Sequence, residues 1–267
     1  MTSQCSNCKA VFSSPYCPEC GQKAGVGRLT MHNIAHELWH GFTHTDKGIF
    51  KLFADLLMRP ATAYQNYFDG RRKSYFSPVV FFLLSFGLFI YLDQQVYNYE
   101  DHITKLRTGH LYNNEIGRFL QEHAKYIALT LLPVEAFLTY AFFYKRHNLA
   151  ECITFWLFCV GFTNVIMILA TPFRLLFITQ KSNVDYILSL VVMGVYFWHT
   201  IAVFGAGIWN KIKCILLVLI VSIINVYIGF YFLSLIVPGF YPGIWDTLKI
   251  LFGNKSANYM EGKWIIK

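Results

Sequence analysis

Five long apolar segments follow one another between residues 75 and 237 of the chain. Each is close to the roughly 20 residues that cross a bilayer as an α-helix. The pattern predicts an all-α membrane protein with about five transmembrane helices, forming one bundle over residues 75–237. The segments are 75–92, 126–144, 152–171, 186–209 and 214–237.

Before the first span, apolar residues recur at the 3.6-residue period of an amphipathic helix. Three such stretches occupy about 29–42, 43–60 and 60–69. Amphipathic helices next to a membrane lie in its interface or pack on the spans. We therefore expect residues 28–74 to form juxtamembrane helices of one of these kinds.

The distribution of basic residues predicts the topology. They are concentrated before the first span and in the short loops that we predict at 145–151 and 210–213. Positive residues mark the cytosolic side of membrane proteins. The N-terminus is therefore predicted to be cytosolic and the C-terminus exterior. The loop 93–125, of mixed charge, would be exterior and folded or helical, and residues 238–267 would form a C-terminal tail.

Composition supports the membrane class and changes the meaning of the net charge. Only 14% of residues are charged and mean hydropathy is +0.40, whereas soluble domains have about 25% charged residues. The net charge of +8 includes Arg71, Arg72 and Lys73 directly before the first span. That position favours contact with anionic membrane lipid or a protein partner, and we expect no nucleic acid.

Four cysteines near the N-terminus are the strongest chemical signal. Cys5 and Cys8 form one CxxC pair, and Cys17 and Cys20 form the second. Two such pairs provide the four thiolates of a tetrahedral structural Zn²⁺ site. The first 25 residues have no apolar core of a signal peptide, so the cysteines should lie in the reducing cytosol, where metal binding is favoured over disulfides. The sequence predicts a zinc ribbon at residues 1–27 that binds one Zn²⁺ per chain.

Histidine recurs every fourth residue from His32 through His36 and His40 to His44. The letters HELWH match the HExxH motif, in which two histidines on one helix face bind zinc and the glutamate activates water. His36, His40 and Glu37 are therefore a candidate second metal site. A polar helix face that contacts solvent or a partner is the alternative.

Polar side chains inside the apolar segments are the remaining candidates. They are Glu135, Asn164, His199 and Asn225. Ionisable groups at this depth need a partner or a water-filled cavity, and Glu135 with His199 is the first pair to test. Helix–helix contact, without further function, is the alternative.

The motif order resembles a bacterial membrane-protein family that is labelled domain of unknown function three-six-six-seven. The resemblance covers Cys5 to about Pro78 and depends on the two CxxC pairs, THTDKG and the stretch that ends in GRRKSYFSP. The matching residues are Cys5, Cys8, Cys17, Cys20, Thr45, Asp46, Gly48, Pro60, Tyr67, Gly70, Arg72, Tyr75 and Pro78. It implies an integral membrane protein with a small cytosolic zinc ribbon, and it implies no reaction.

Three functions are compatible with these observations. The leading hypothesis is a non-enzymatic docking, regulatory or scaffold protein of the bacterial inner (cytoplasmic) membrane. It would contact lipid, and its N-terminal cytosolic region would bind a protein partner. One alternative is a transporter of small molecules or lipid that uses the polar residues within the spans. The other is a membrane metalloenzyme built on HELWH. Substrate and oligomeric state stay open.

Overall fold

The structure is a computed structural model. It describes the backbone of residues 3–31, 34, 48–108, 115–236, 257–260 and 263–266, and the side chains of these residues except 107–128, 181–182 and those from 226 onward. The predicted all-α membrane bundle with an N-terminal four-cysteine module is confirmed. The first predicted amphipathic helix lies mainly outside the described residues.

The described elements begin with the ribbon, whose short strands β1 (Ser3–Gln4) and β2 (Val11–Phe12) pair antiparallel, with Ser3 opposite Phe12. Two short helices and five long helices follow. They are α1 (Gly48–Met58), α2 (Pro60–Phe68), α3 (Pro78–Thr108), α4 (Glu115–Phe143), α5 (Leu149–Leu176), α6 (Lys181–Phe204) and α7 (Ile208–Ile236). The antiparallel strands β3 (Ala257–Met260) and β4 (Lys263–Ile266) form a hairpin in the tail.

Each predicted span lies largely within one of the long helices. Four helical stretches are long and apolar enough to cross a membrane, and α4 contributes a shorter apolar stretch, Leu129–Phe143, within the described side chains. The four are Pro78–Leu106, Leu149–Leu176, Asn183–Phe204 and Ile208–Asn225. This is the architecture of a multi-pass membrane protein.

One predicted boundary was wrong. The sequence placed a loop at 210–213, but α7 already begins at Ile208 and α6 ends at Phe204. The chain turns at Gly205–Gly207, where Gly207 adopts a φ of +87° that favours glycine. The apolar pattern continues through this turn, so hydropathy alone did not reveal it. The 93–125 segment, expected to be folded or helical, is helical over most of its length, because α3 continues to Thr108 and α4 begins at Glu115.

Helix α5 lies at the centre of the bundle. Of the most apolar 18 residues of α5, 61% are buried, against 33% or less for the corresponding stretches of α3, α6 and α7. Gly161 allows α3 to approach, because a Cβ atom there would lie only 2.7 Å from the Phe81 ring. Trp156 is fully buried on α5, and its indole Nε1 donates to Thr139 Oγ1 of α4 at 2.8 Å.

Helices α1 and α2 pack on this bundle. The ring of Phe53 in α1 lies 5.2 Å from that of Phe162, and Tyr67 of α2 meets Phe158 edge-to-face, also at 5.2 Å. Leu52, Leu56 and Tyr64 belong to the same buried cluster as the spans. Of the two arrangements that the sequence allowed, packing on the spans is therefore the one observed.

Candidate metal centre and its contacts with the bundle

The two CxxC pairs fold into matching turns. In the first, the amide of Cys5 donates to Ala10 O at 2.8 Å, and the amide of Lys9 donates to Cys5 O at 3.0 Å. In the second, Cys17 N donates to Gln22 O and Gly21 N to Cys17 O, both at 2.8 Å. The residue after each pair, Lys9 or Gly21, has a φ near +70°. Glycine adopts this conformation readily at position 21, whereas the backbone of Lys9 is strained, because it carries a side chain.

The turns bring all four thiols together. The Sγ atoms of Cys5, Cys8, Cys17 and Cys20 all lie within 4.8 Å of one another. The Sγ–Sγ distances of Cys5–Cys20 and of Cys8–Cys17 are each 3.5 Å. A tetrahedral zinc with Zn–S bonds of about 2.3 Å separates its sulfurs by roughly 3.8 Å. The residues therefore fit a metal ion. Four sulfur ligands would complete a tetrahedral shell, which is typical of structural rather than catalytic sites.

The electrostatics of the thiols also suit a cation. Burial opposes ionisation of Cys5, but hydrogen bonds from the backbone amides of Cys8 and Asn7 lower its pKa to about 6. The amide of Ala10 favours the Cys8 thiolate, but burial and the neighbouring thiols raise the pKa of Cys8 to about 12. Thiols this close cannot all ionise unless a positive charge offsets them. A bound metal ion supplies that charge.

The basic loop before α3, residues 71–74, contacts both turns of the ribbon. Ser74 Oγ donates to Asn7 Oδ1 at 2.5 Å, and the Lys73 amide donates to Gln22 Oε1 at 3.1 Å. Arg72 reaches the following segment, with Nη2 donating to Gly27 O at 3.1 Å. Gly70 permits this approach, because it has a φ of +90° and a Cβ there would lie 3.1 Å from Val26 O. These contacts connect the ribbon to the first span.

The same loop is joined to α1 and α2. Arg71 Nη1 donates to Asn66 Oδ1 at 3.1 Å, and Asn66 Nδ2 donates to Tyr75 Oη at 3.2 Å. Tyr75 Oη in turn donates to the buried carboxylate of Asp55 at 3.0 Å. The same carboxylate also accepts a hydrogen bond from Arg59. Arg71 and Arg72, which the sequence assigned to lipid or a partner, thus make intramolecular hydrogen bonds.

A second set of contacts attaches the ribbon to the start of α5. Arg28 forms a two-pronged ion pair with Glu151, Nε to Oε1 at 2.5 Å and Nη2 to Oε2 at 2.9 Å. Arg28 also donates to Arg146 O, and Asn148 Nδ2 donates to Leu29 O at 2.9 Å. Asn148 and Glu151 form a capping box at the N-terminus of α5, and His147 Nδ1 lies 3.1 Å from Glu151.

Sequence reasoning missed this second contact. The letters NLAE at 148–151 were an available signal, since a capping residue followed three positions later by Glu marks a helix start. That signal would have found the cap. It could not have found Arg28, which is 123 residues from Glu151 in the chain.

These contacts assign several segments to one end of the bundle. The ribbon contacts the 71–74 loop, and Arg28, directly after the ribbon, contacts the 146–151 loop. The predicted topology also places these segments on the same side. Which compartment this end faces stays a prediction.

The candidate second metal site lies outside the described residues. His32, His36, Glu37, His40 and His44 all fall at positions 32–33 or 35–47. Among the described residues, the four ribbon cysteines form the candidate metal cluster.

The polar residues within the spans have partners other than those expected. Asn225 Nδ2 donates to Glu135 Oε1 at 2.9 Å, joining α7 to α4. His199 Nδ1 lies 3.0 Å from Tyr64 Oη of α2, and its ring stacks on Phe162. In these contacts Glu135 and His199 each have a different partner and do not pair with each other. Asn164 is buried on α5, and its Nδ2 has no hydrogen-bond partner in the described part of the chain.

The family comparison fits this geometry. Residues 46–90 match the model of the family described as Protein of unknown function (DUF3667). The matched segment covers 45 of the 267 residues. It comprises α1, α2, the basic loop and the start of α3, which together contact the ribbon and the central span. Searches of curated proteins and of solved structures found no match to the chain.

Proposed function

We propose that this chain is a non-enzymatic protein of the bacterial cytoplasmic membrane, whose zinc-loaded ribbon is a cytosolic docking or regulatory module. The observation that carries the proposal is the closed four-cysteine site, fixed to one end of the bundle by Arg28–Glu151 and by the 71–74 loop. A complete sulfur shell supports a structural role for the metal. The predicted topology has the N-terminus cytosolic and the C-terminus exterior.

The ribbon offers a surface for a partner. Val11 and Tyr16 are 70% and 59% exposed, although the module has few other large apolar side chains. These two side chains would supply the apolar part of a contact with a partner. The DUF3667 segment would hold this surface at a fixed position above the membrane.

The described contacts give less support to transport. Glu135 is 8% exposed and hydrogen-bonded to Asn225. Two cavities at the ribbon end of the bundle are lined by neither Glu135, Asn164, His199 nor Asn225. A buried, paired carboxyl suits helix–helix contact better than an open path.

Metal counting tests the proposal. We expect elemental analysis of the purified full-length protein to find one zinc per chain. The double substitution Cys5→Ser/Cys20→Ser should abolish zinc binding. The control Cys152→Ala/Cys214→Ala removes two thiols from the bundle and should retain it. A second metal that is lost in His36→Ala/His40→Ala would favour the HELWH metalloenzyme and contradict the proposal.

Cross-linking tests the docking role. A photo-reactive residue at position 11 should give a discrete protein adduct in cells, and Cys5→Ser/Cys20→Ser should remove it. The same probe at position 105, which lies on α3, should not give that adduct. Absence of an adduct at position 11, or an adduct that does not need the metal ligands, would contradict a docking role for the ribbon.

A further inference from the structure

A cavity of about 600 Å³ opens between the end of α4 and the start of α7. Its charged and amide-bearing lining residues are Lys145, Arg146, Asn210 and Lys213. Phe142 contributes part of an apolar wall. No carboxylate lines the cavity, so three positive charges converge on one space.

A neighbouring cavity, which also has Arg146 in its lining, differs in charge. It measures about 490 Å³ and is lined by residues of both signs, including Arg28, Asp69 and Glu151. There Arg28 and Glu151 pair with each other. In the larger cavity, by contrast, none of the three basic side chains forms an ion pair with another described residue. Asn210 Nδ2 is already used, because it donates to Ala206 O at 2.7 Å.

The position matches the headgroup region of a bilayer. Lys145 lies two residues beyond Phe143, where α4 ends, and Lys213 lies five residues into α7. Tyr144 and Trp209 flank the site and are 58% and 76% exposed. Exposed tyrosine and tryptophan at helix ends are typical of the membrane–water interface. A lysine within the first turns of a span extends its ammonium group toward phosphates at that interface.

We propose that this cavity is a binding site for the headgroup of an anionic phospholipid. Arg146 offers a planar fork that binds two phosphate oxygens, while Lys145 and Lys213 act as point charges. The apolar wall at Phe142 would contact the upper part of an acyl chain. Basic pockets between membrane helices bind anionic headgroups in this way. The site needs only the membrane assignment and does not depend on the role of the ribbon.

This places specific lipid recognition away from the 71–73 stretch. Arg72 of that stretch donates to Gly27 O and Arg71 to Asn66 Oδ1. The three basic side chains of the 600 Å³ cavity form no ion pair with another described residue, so their charge is open to a ligand.

Native mass spectrometry of the full-length protein in detergent micelles tests the site. Phosphatidylglycerol and phosphatidylcholine with identical acyl chains are added together, and the bound ratio is measured. We expect the wild-type protein to prefer phosphatidylglycerol. Because each basic residue at a membrane surface contributes a factor of several in affinity, Lys145→Gln/Lys213→Gln should reduce that preference by about tenfold or more.

The matched control is Lys105→Gln/Lys211→Gln, which removes the same charge from exposed positions that do not line the cavity. It should keep the preference, as should the charge-conserving variant Lys145→Arg/Lys213→Arg. Unchanged elution and helicity would confirm that the glutamine variant is folded, which its exposed positions favour.

Three results would overturn the proposal. The first is a wild-type protein with no preference between the two lipids. The second is an equal loss in the Lys105→Gln/Lys211→Gln control, which would indicate a diffuse charge effect. The third is displacement of phosphatidylglycerol by inorganic phosphate at the same concentration, which would indicate an anion site that does not recognise lipid.

Discussion

We expect the ribbon and the helical bundle to obtain their stability from different sources. The buried apolar cluster of the ribbon consists of Cys5, Phe12 and Cys17, with Ala10, Cys20 and Ala24 partly buried beside it. The buried cluster of the bundle draws on every helix from α1 to α7. A module with so small a core folds only when a metal supplies the missing free energy. The bundle has apolar packing enough to fold without it.

The comparison also shows why the two regions are joined by polar contacts. The ribbon has little apolar surface to bury against the bundle, so its attachment depends on Arg28–Glu151 and on hydrogen bonds to the 71–74 loop. Such contacts are specific in geometry but modest in net free energy. Four changes, from the largest expected effect to the smallest, test this difference.

The largest effect is expected from loss of the metal ligands. In Cys5→Ser/Cys20→Ser the ribbon should lose its fold altogether, because structural zinc contributes about 10–16 kcal/mol of apparent free energy to small zinc modules. The bundle should remain helical. Limited proteolysis with circular dichroism measures both, and we expect new cleavage within the first 30 residues only. Loss of helicity in the same variant would show that the two regions are not independent.

A substitution that creates a cavity in the bundle core should destabilise the bundle and leave the ribbon intact. Trp156→Ala removes a fully buried ring and the hydrogen bond to Thr139. It should lower the free energy of unfolding of the bundle by about 3–5 kcal/mol, as measured by denaturant titration in detergent. Metal content should stay at the wild-type value. If the metal were lost as well, the claim of separate stabilities would be wrong.

Breaking the attachment should affect neither fold. Glu151→Gln removes the ion pair with Arg28. We expect this to weaken the attachment of the ribbon to the bundle by about 1–3 kcal/mol. Protease access to the 25–31 segment should rise while metal content and helicity stay unchanged. Glu19→Gln, a charge change of the same kind on the ribbon itself, is the control and should leave that access at the wild-type rate.

The smallest effect is expected at Tyr75. Tyr75→Phe removes the hydroxyl that connects Asn66 to the buried carboxylate of Asp55. The free energy of unfolding should fall by about 0.5–1.5 kcal/mol. Thermal unfolding of the bundle measures this, and the metal content should not change. A loss of metal here would mean that the basic loop supports the ribbon more directly than its contacts indicate.

Local patterns in the sequence predicted the elements that depend on local chemistry. The five apolar segments gave the helical spans, and the spacing of Cys5, Cys8, Cys17 and Cys20 gave the four-sulfur cluster. Both signals depend only on residues close together in the chain. The resemblance to the DUF3667 family was likewise visible in a continuous stretch.

Contacts between distant segments could not be predicted in the same way. Glu135 pairs with Asn225 and His199 with Tyr64, because the rotation and axial position of packed helices decide which polar groups meet. Arg28 meets Glu151 because tertiary folding brings together two segments that are 123 residues apart in the chain. The wrong loop at 210–213 has a different cause, since only the glycines at 205 and 207 mark the true turn within an uninterrupted apolar pattern.

Hydrogen exchange of the full-length protein in detergent, before and after chelation of the metal, tests the central claim most directly. We expect exchange to rise in residues 3–31, in the 71–74 loop and around residues 146–151. The middle of α5, including Trp156 and Phe162, should stay protected. Faster exchange in the middle of α5 after chelation, or no change in the ribbon, would contradict a metal-dependent ribbon attached to an independently stable bundle.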